Sequence, residues 1–196
     1  ELNVLGNMNI LNACIGKNVE RYIYASSAYA LSDKGSFYGI SKLTSEKLVE
    51  EYYKRFGLEF TIVRYGSVYG ERDFDNNYIY NLIKKAIDTG HINHNGDGEE
   101  IREYIHVKDV AKLSVDIIQS EEFRNQNIIL TGVERMKRKE LFLMIKEILN
   151  GKIEISLSDS HDDHHYKITP YAFHPSSAKK LTANPYIDMG QGLLEC

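Results

Sequence analysis

The chain has 196 residues, of which 42% are hydrophobic and 27% charged, with a formal net charge of -4. These values fit a globular chain of one domain, or a domain with an appendage, and they give no basic footprint for nucleic acid or for a basic membrane-surface protein. No apolar run approaches the roughly 20 residues of a membrane-spanning helix, and Cys14 and Cys196 lack metal-ligand spacing, so a reducing, cytoplasmic setting is expected rather than a disulfide framework.

Leu2, Leu5, Met8, Ile10, Leu11, Ala13 and Cys14 form one helical stripe, which Gly16 and Asn18 end. Arg21-Tyr-Ile-Tyr-Ala25, stopping at Ser26-Ser27, reads as a buried strand. Ser32 to Gly35 is a polar loop. The helical period returns from Ser36 to Phe56, with Leu43, Leu48, Val49 and Tyr52 inward and Glu46, Lys47, Glu50 and Lys54 outward. Gly57 is its C-cap, and Phe60-Thr-Ile-Val-Arg-Tyr65 is a second buried strand. Helix, strand, helix, strand implies a parallel sheet with helices on both faces.

Further on, helices are expected over 77–89, 107–120 and 138–149, a turn at Asn95-Gly-Asp-Gly98, and strands over 127–131 and 152–157. The tail holds all three prolines and most of the histidines and reads as largely irregular. His161-Asp-Asp-His-His165 offers ligand types for a divalent metal. With no partner motif it reads as a solvated loop, and no metal site is assigned.

Tyr38 and Lys42 stand four residues apart near a helix start, one turn apart on one face. A free phenol titrates near ~10, and an ammonium close by favours the phenolate. Tyr38 could then exchange a proton with a substrate hydroxyl or carbonyl. Ser27, at the C-terminal end of the preceding strand, could hold the same oxygen, where ligands bind in open α/β sheets. The bare spacing by itself reads as a half-buried Tyr beside a solvated Lys. The ordered context of a serine-ended strand, a short loop and a Tyr-Lys helix favours chemistry.

At these residues the chain resembles the extended short-chain dehydrogenase/reductase family, the nucleotide-sugar epimerases and dehydratases. The resemblance runs through Asn3-Val-Leu-Gly6, Tyr24-Ala-Ser-Ser-Ala28, Phe37-Tyr-Gly-Ile-Ser-Lys-Leu43, Arg64-Tyr-Gly-Ser-Val-Tyr-Gly70, Gly96-Asp-Gly98 and Arg102-Glu-Tyr-Ile-His-Val-Lys-Asp-Val110. It implies the C-terminal part of a Rossmann-like doubly wound parallel sheet with a small α/β substrate-binding region. Residues 1–70 would be the C-terminal half of the dinucleotide-binding domain. Residues 71–196 would be mainly substrate-binding, with elements returning to the first part.

The resemblance implies Ser27, Tyr38 and Lys42 as catalytic residues, and Tyr38, Lys42, Tyr65 and Val68 beside the cofactor. Ser67, Asn77 and Arg102 would face the substrate, with Arg102 on its diphosphate, since a guanidinium fork suits phosphate. The alternative for Arg102 is a surface salt bridge with Glu99, Glu100 or Glu103. The implied cofactor is NAD, with NADP left open. The implied partners are a nucleotide sugar and a second copy of the chain, joined through helices of the Rossmann domain.

The glycine-rich phosphate fingerprint is absent, so the sequence reads as N-terminally truncated, and this piece alone is expected to be inactive and poorly soluble. Ala28-Tyr29 follows Ser27 where 4,6-dehydratases have Asp-Glu, and only ten residues separate Ser27 from Tyr38. No arginine lies in Tyr166–Pro175, so the second phosphate contact is missing or falls to Lys167. A UDP-glucose 4-epimerase-like reaction is the first expectation. A dehydratase or reductase of the same family, and a non-catalytic NAD(P)-binding module, are the alternatives.

Overall fold

In chain order, a π-helical turn over Leu2–Gly6 leads into α1 (Asn7–Cys14), then β1 (Tyr22–Ser27), α2 (Ser36–Phe56), β2 (Phe60–Tyr65) and β3 (Ser67–Tyr69). There follow α3 (Tyr78–Thr89), β4 (His91–Asn95), β5 (Ile101–Arg102), β6 (Tyr104–His106), α4 (Val107–Gln119) and β7 (Gln126–Leu130). The rest is β8 (Met136–Lys137), α5 (Arg138–Ile148), β9 (Glu154–Ser158), β10 (Lys179–Leu181) and α6 (Met189–Leu194). The structure is a computed structural model and describes residues 2–71, 77–158, 167–168 and 178–196.

The chain divides into two units. The first comprises Glu1–Gly66, Leu113–Leu130 and Pro170–Leu181, and the second Ser67–Lys112, Thr131–Thr169 and Thr182–Cys196.

The first unit is built on a four-stranded, all-parallel sheet in the order β1-β2-β7-β10. Alternation along β2 shows why. Phe60 and Ile62 pack with Leu11, Tyr24, Val49 and Leu58 of the core under α1 and α2, and Arg64 reaches Glu46 of α2. Thr61 and Tyr65 point the other way, to the Phe123 carbonyl and to Ser114 of α4. A strand covered on both faces keeps a polar side chain only where it has a partner, as Thr61 and Arg64 do here. The expected α/β class with a parallel sheet is thus present, and Gly57 ends α2 in the left-handed conformation with its N–H donating to the Tyr53 carbonyl at 2.9 Å.

The second unit pairs short strands two by two: β3 with β6 and β4 with β9 in parallel, β5 with β8 antiparallel. Its core gathers Tyr69, Ile79, Ala86, Ile92, Leu141 and Phe142 with residues of α6.

Three local expectations change. Glu46, expected outward, is fully buried, while Leu43, expected inward, is 40% exposed. The reason is a specific ion pair with Arg64, which overrides the hydrophobic stripe. In the tail, expected to be irregular, Lys179–Leu181 adds a strand beside β7 and Met189–Leu194 forms a helix capped by Asp188, whose side chain accepts from the Gln191 N–H. Residues 161–165, with the histidine cluster, lie outside the described residues.

Candidate active site

In the first unit the ends of β1 and β2 lie side by side, with Ser27 opposite Tyr65 in the parallel register. Ser27 is buried, and its Oγ accepts from the Tyr29 N–H at 3.3 Å, capping a short 3-10 turn over Ala28–Leu31. The Tyr65 hydroxyl lies 3.2 Å from Ser114 Oγ. Four residues separate that turn from α2, whose close packing on the turn depends on Gly39. A Cβ there would stand 2.8 Å from the Tyr29 carbonyl oxygen.

Tyr38 precedes Gly39 and is half-exposed, its ring edge-on to Tyr29 with centroids 6.4 Å apart. One turn on, Lys42 Nζ donates to the Ala25 carbonyl at 2.9 Å. The ammonium lies 5.2 Å from the Tyr24 ring centroid and 5.8 Å from that of Tyr38, within cation–π range of both. Desolvation lowers the Lys42 pKa, and the charge of Glu46 opposes the shift. Lys42 spends one of its three N–H donors on Ala25, and among the described residues no hydrogen bond is recorded for the Tyr38 hydroxyl.

Beneath this pair is a cluster that the sequence reading missed. Glu46 Oε1 accepts from Ser26 Oγ at 2.5 Å and from Arg64 Nε at 2.8 Å, while Oε2 accepts from Arg64 Nη2 at 2.7 Å. Glu46 and Arg64 are both buried, and the fork-to-fork geometry fixes both planes. The signal was available in the spacing. Tyr38, Lys42 and Glu46 recur every four residues and so share one face of α2.

In the second unit, β3 and β6 set Ser67 opposite Tyr104 and Val68 opposite Ile105. Asn77 caps α3: Oδ1 accepts from the Ile79 N–H at 2.9 Å and the Tyr80 N–H at 3.3 Å, and Nδ2 donates to the Val68 carbonyl at 3.1 Å. Both ends of that amide are thus engaged in positioning Val68 and the helix. Arg102 is 3% exposed, so the surface reading fails for it, and Nη1 donates to the Ile101 carbonyl at 2.9 Å. Of the three glutamates offered as its surface partners, Glu99 lies beside Lys137 and Lys139, Glu103 beside Arg135, and Glu100 against the His94 ring. The Lys167 carbonyl accepts from the Ile101 N–H at 2.8 Å, next to Arg102 in the chain.

Ser27, Tyr38, Lys42 and Tyr65 therefore gather in one unit, and Ser67, Val68, Asn77 and Arg102 in the other. Among the described residues no group of three or more metal-ligating side chains occurs, and no described helix is long and apolar enough to cross a membrane.

Comparison with known proteins adds to this geometry. Residues 1–132 match the NAD dependent epimerase/dehydratase family. An uncharacterized UDP-glucose epimerase of Bacillus subtilis (strain 168) is 25% identical over 169 residues, covering 80% of this chain and 54% of the relative. A putative UDP-glucose 4-epimerase of Methanocaldococcus jannaschii is 26% identical over 211 residues, covering 98% of this chain and 67% of the relative. The chain thus spans between about half and two thirds of these relatives' lengths. The fold is also that of the crystal structure of UDP-glucuronic acid 4-epimerase from Bacillus cereus in complex with UDP-glucuronic acid and NAD. That match has a TM-score of 0.81 at 21% identity, covering 98% of this chain and 65% of the solved one.

Proposed function

The chain belongs to the NAD-dependent epimerase/dehydratase family, and on that premise we propose that it supplies the proton-transfer and substrate-binding residues of an NAD-dependent nucleotide-sugar 4-epimerase. The observation that carries the reading is the Tyr38–Lys42 pair, an ammonium set beside a half-exposed phenol near the C-terminal ends of parallel strands.

The cofactor, when bound, exchanges hydride with the sugar carbon. The chain's own residues fit it by their donor set. Lys42 has N–H donors left for ribose hydroxyls after binding Ala25, and Tyr38, Tyr65 and Val68 complete the cofactor side. Tyr38 Oη takes the proton of the sugar hydroxyl as that carbon is oxidised and returns it as the carbon is reduced. The Lys42 ammonium, 5.8 Å from the Tyr38 ring centroid, stands on the same helix face one turn away. Ser27 Oγ holds the reacting oxygen. Arg102 grips the diphosphate, Ser67 meets the sugar, and Asn77 acts by fixing Val68.

A UDP sugar is the favoured substrate, by similarity to the epimerases above. A 4,6-dehydratase fits less well, because Ala28-Tyr29 follows Ser27. On this reading residues 1–70 belong to the dinucleotide-binding domain and 71–196 mainly to the substrate region. Leu2, Phe37 and Ile40 are exposed apolar side chains, which we assign to pairing with a second copy. Cys14 and Cys196, both free thiols, suit a cytoplasmic setting.

The test is Tyr38→Phe in the complete gene product. Turnover of UDP-glucose should fall by about 10²–10⁴-fold with NAD binding retained, and a wild-type rate would sink the assignment.

A further inference from the structure

We propose that Arg138 is a second anion-binding residue, closing with Arg102 on the diphosphate of the nucleotide sugar; this deepens the function proposed above and rests on it for the ligand's identity. The sequence offered Lys167 for that second contact. The structure points instead to a residue at the start of α5.

Register comes first. Across the antiparallel β5–β8 ribbon Ile101 stands opposite Lys137 and Arg102 opposite Met136. The Arg138 N–H continues the ladder by donating to the Glu100 carbonyl at 3.0 Å, so Arg138 stands opposite Glu100. Side chains two apart along a strand share a face. Arg102 and Arg138 are therefore diagonal neighbours on one face of the ribbon, about 7–8 Å apart, a gap that long side chains span.

Packing comes second. The Arg138 guanidinium carbon lies 4.2 Å from the ring centroid of Tyr78, the first residue of α3. Stacking of this kind holds the planar donor fork in one orientation. Arg138 Nε is buried without a hydrogen-bond partner among the described residues. Desolvation raises the Tyr78 pKa, and the charges of Arg138 and Arg102 both pull it back, so the two guanidinium groups act on the same phenol. Glu100 also lies within electrostatic reach of Arg138, but its carboxylate oxygens already contact His94 Nε2 at 3.1 and 3.3 Å.

Two guanidinium groups on one face repel each other, and a buried N–H without an acceptor costs free energy. One oxyanion group between them relieves both penalties. A diphosphate suits the site better than a single carboxylate, since its oxygens can meet two forks at once.

The experiment uses the complete gene product and calorimetric titration with three probes: UDP, inorganic pyrophosphate and uridine. Arg138→Met keeps the stem over Tyr78 and removes the charge. It should weaken both UDP and pyrophosphate by about tenfold or more, the scale of one charge-assisted hydrogen bond, and leave uridine unchanged. Arg138→Lys, which keeps the charge without the fork, should recover part of the loss. UDP and pyrophosphate affinities of R138M within about twofold of wild type would overturn the proposal. If R138M loses its cooperative melt, R138K decides: a severalfold loss supports the fork, and an unchanged affinity overturns it. Wild-type protein that binds pyrophosphate, lost in R138M, but not UDP would overturn the epimerase reading and leave this site standing. Wild-type protein that binds none of them would overturn both.

Discussion

The two units carry their candidate residues on different kinds of element. In the first, Ser27 and Tyr65 end six-residue strands, and Tyr38 and Lys42 ride a 21-residue helix. In the second, Ser67, Val68 and Arg102 sit on strands of two or three residues, and Asn77 is a helix cap. Proton transfer needs a phenol and an ammonium fixed to each other, and one helix face delivers that with a single spacing. Gripping a large polar ligand needs donors from several directions, and short ribbons joined at a helix cap deliver those.

The sharpest way to break this contrast is at Glu46. If the buried pair with Arg64 is what clamps α2 to β2, Glu46→Ala leaves Arg64 charged and unpartnered by it in the interior. The expected cost is about 3–5 kcal/mol, read from the urea midpoint. Replacing Glu46 by Leu and Arg64 by Met together should recover most of it, because well-packed apolar residues can replace a buried ion pair. A loss below about 1 kcal/mol for Glu46→Ala would mean that the clamp resides elsewhere, in the apolar core around Ile62 and Val49.

The same contrast explains what could be read from the sequence. The element carrying Tyr38 and Lys42 was legible because α2 is long, ends at Gly57 and is followed by the β-rich segment Phe60–Tyr65. The burial of Glu46 was not, because a charge on a helix reads as solvated until its partner is known, and Arg64 lies on another element. The strands β3, β5, β6 and β8 are too short to show a period of two, so Arg102 was found by its motif and not by its element. Arg138 stood only as the first residue of the helix expected over 138–149. Only the β5–β8 register, which pairs Ile101 with Lys137 and Arg102 with Met136, puts it beside Arg102.

In the second unit the next largest effect belongs to the cap. Asn77→Ala removes the acceptor for the Ile79 and Tyr80 N–H groups and the donor to the Val68 carbonyl. Loss of such a cap costs about 1 kcal/mol, within roughly 0.5–2. Amide hydrogen exchange should quicken in the first turn of α3 and at β3. Unchanged protection at both places would detach Val68 from the cap and remove the positioning role given to Asn77.

The smallest effect is a pH dependence in the second unit, and it turns on His106. This side chain is fully buried, its ring edge-on to Tyr69 with centroids 5.2 Å apart. Its Nδ1 accepts from the Lys108 N–H at 3.4 Å, and its Nε2 lies 3.6 Å from a Glu195 carboxylate oxygen. Desolvation lowers the His106 pKa; Glu195 opposes the shift, Lys108 adds to it, and Asp109 and Glu71 oppose it. With the folded value below the unfolded one of about 6.5, the unfolded chain takes up this proton first as pH falls. The neutral imidazole therefore contributes its full stability above about 6.5, and that contribution is lost progressively below it, down to the folded pKa. The opposing carboxylates keep the change modest. His106→Gln abolishes the titration while keeping a side chain able to donate and accept. Measured by urea unfolding, the stability difference between wild type and H106Q should shrink as pH drops from about 7.5 to about 5. A difference that stays constant, or grows on acidification, would mean that Glu195 wins over burial and that His106 is charged inside the fold, pairing the C-terminal helix to β6 by an ion pair instead of by packing.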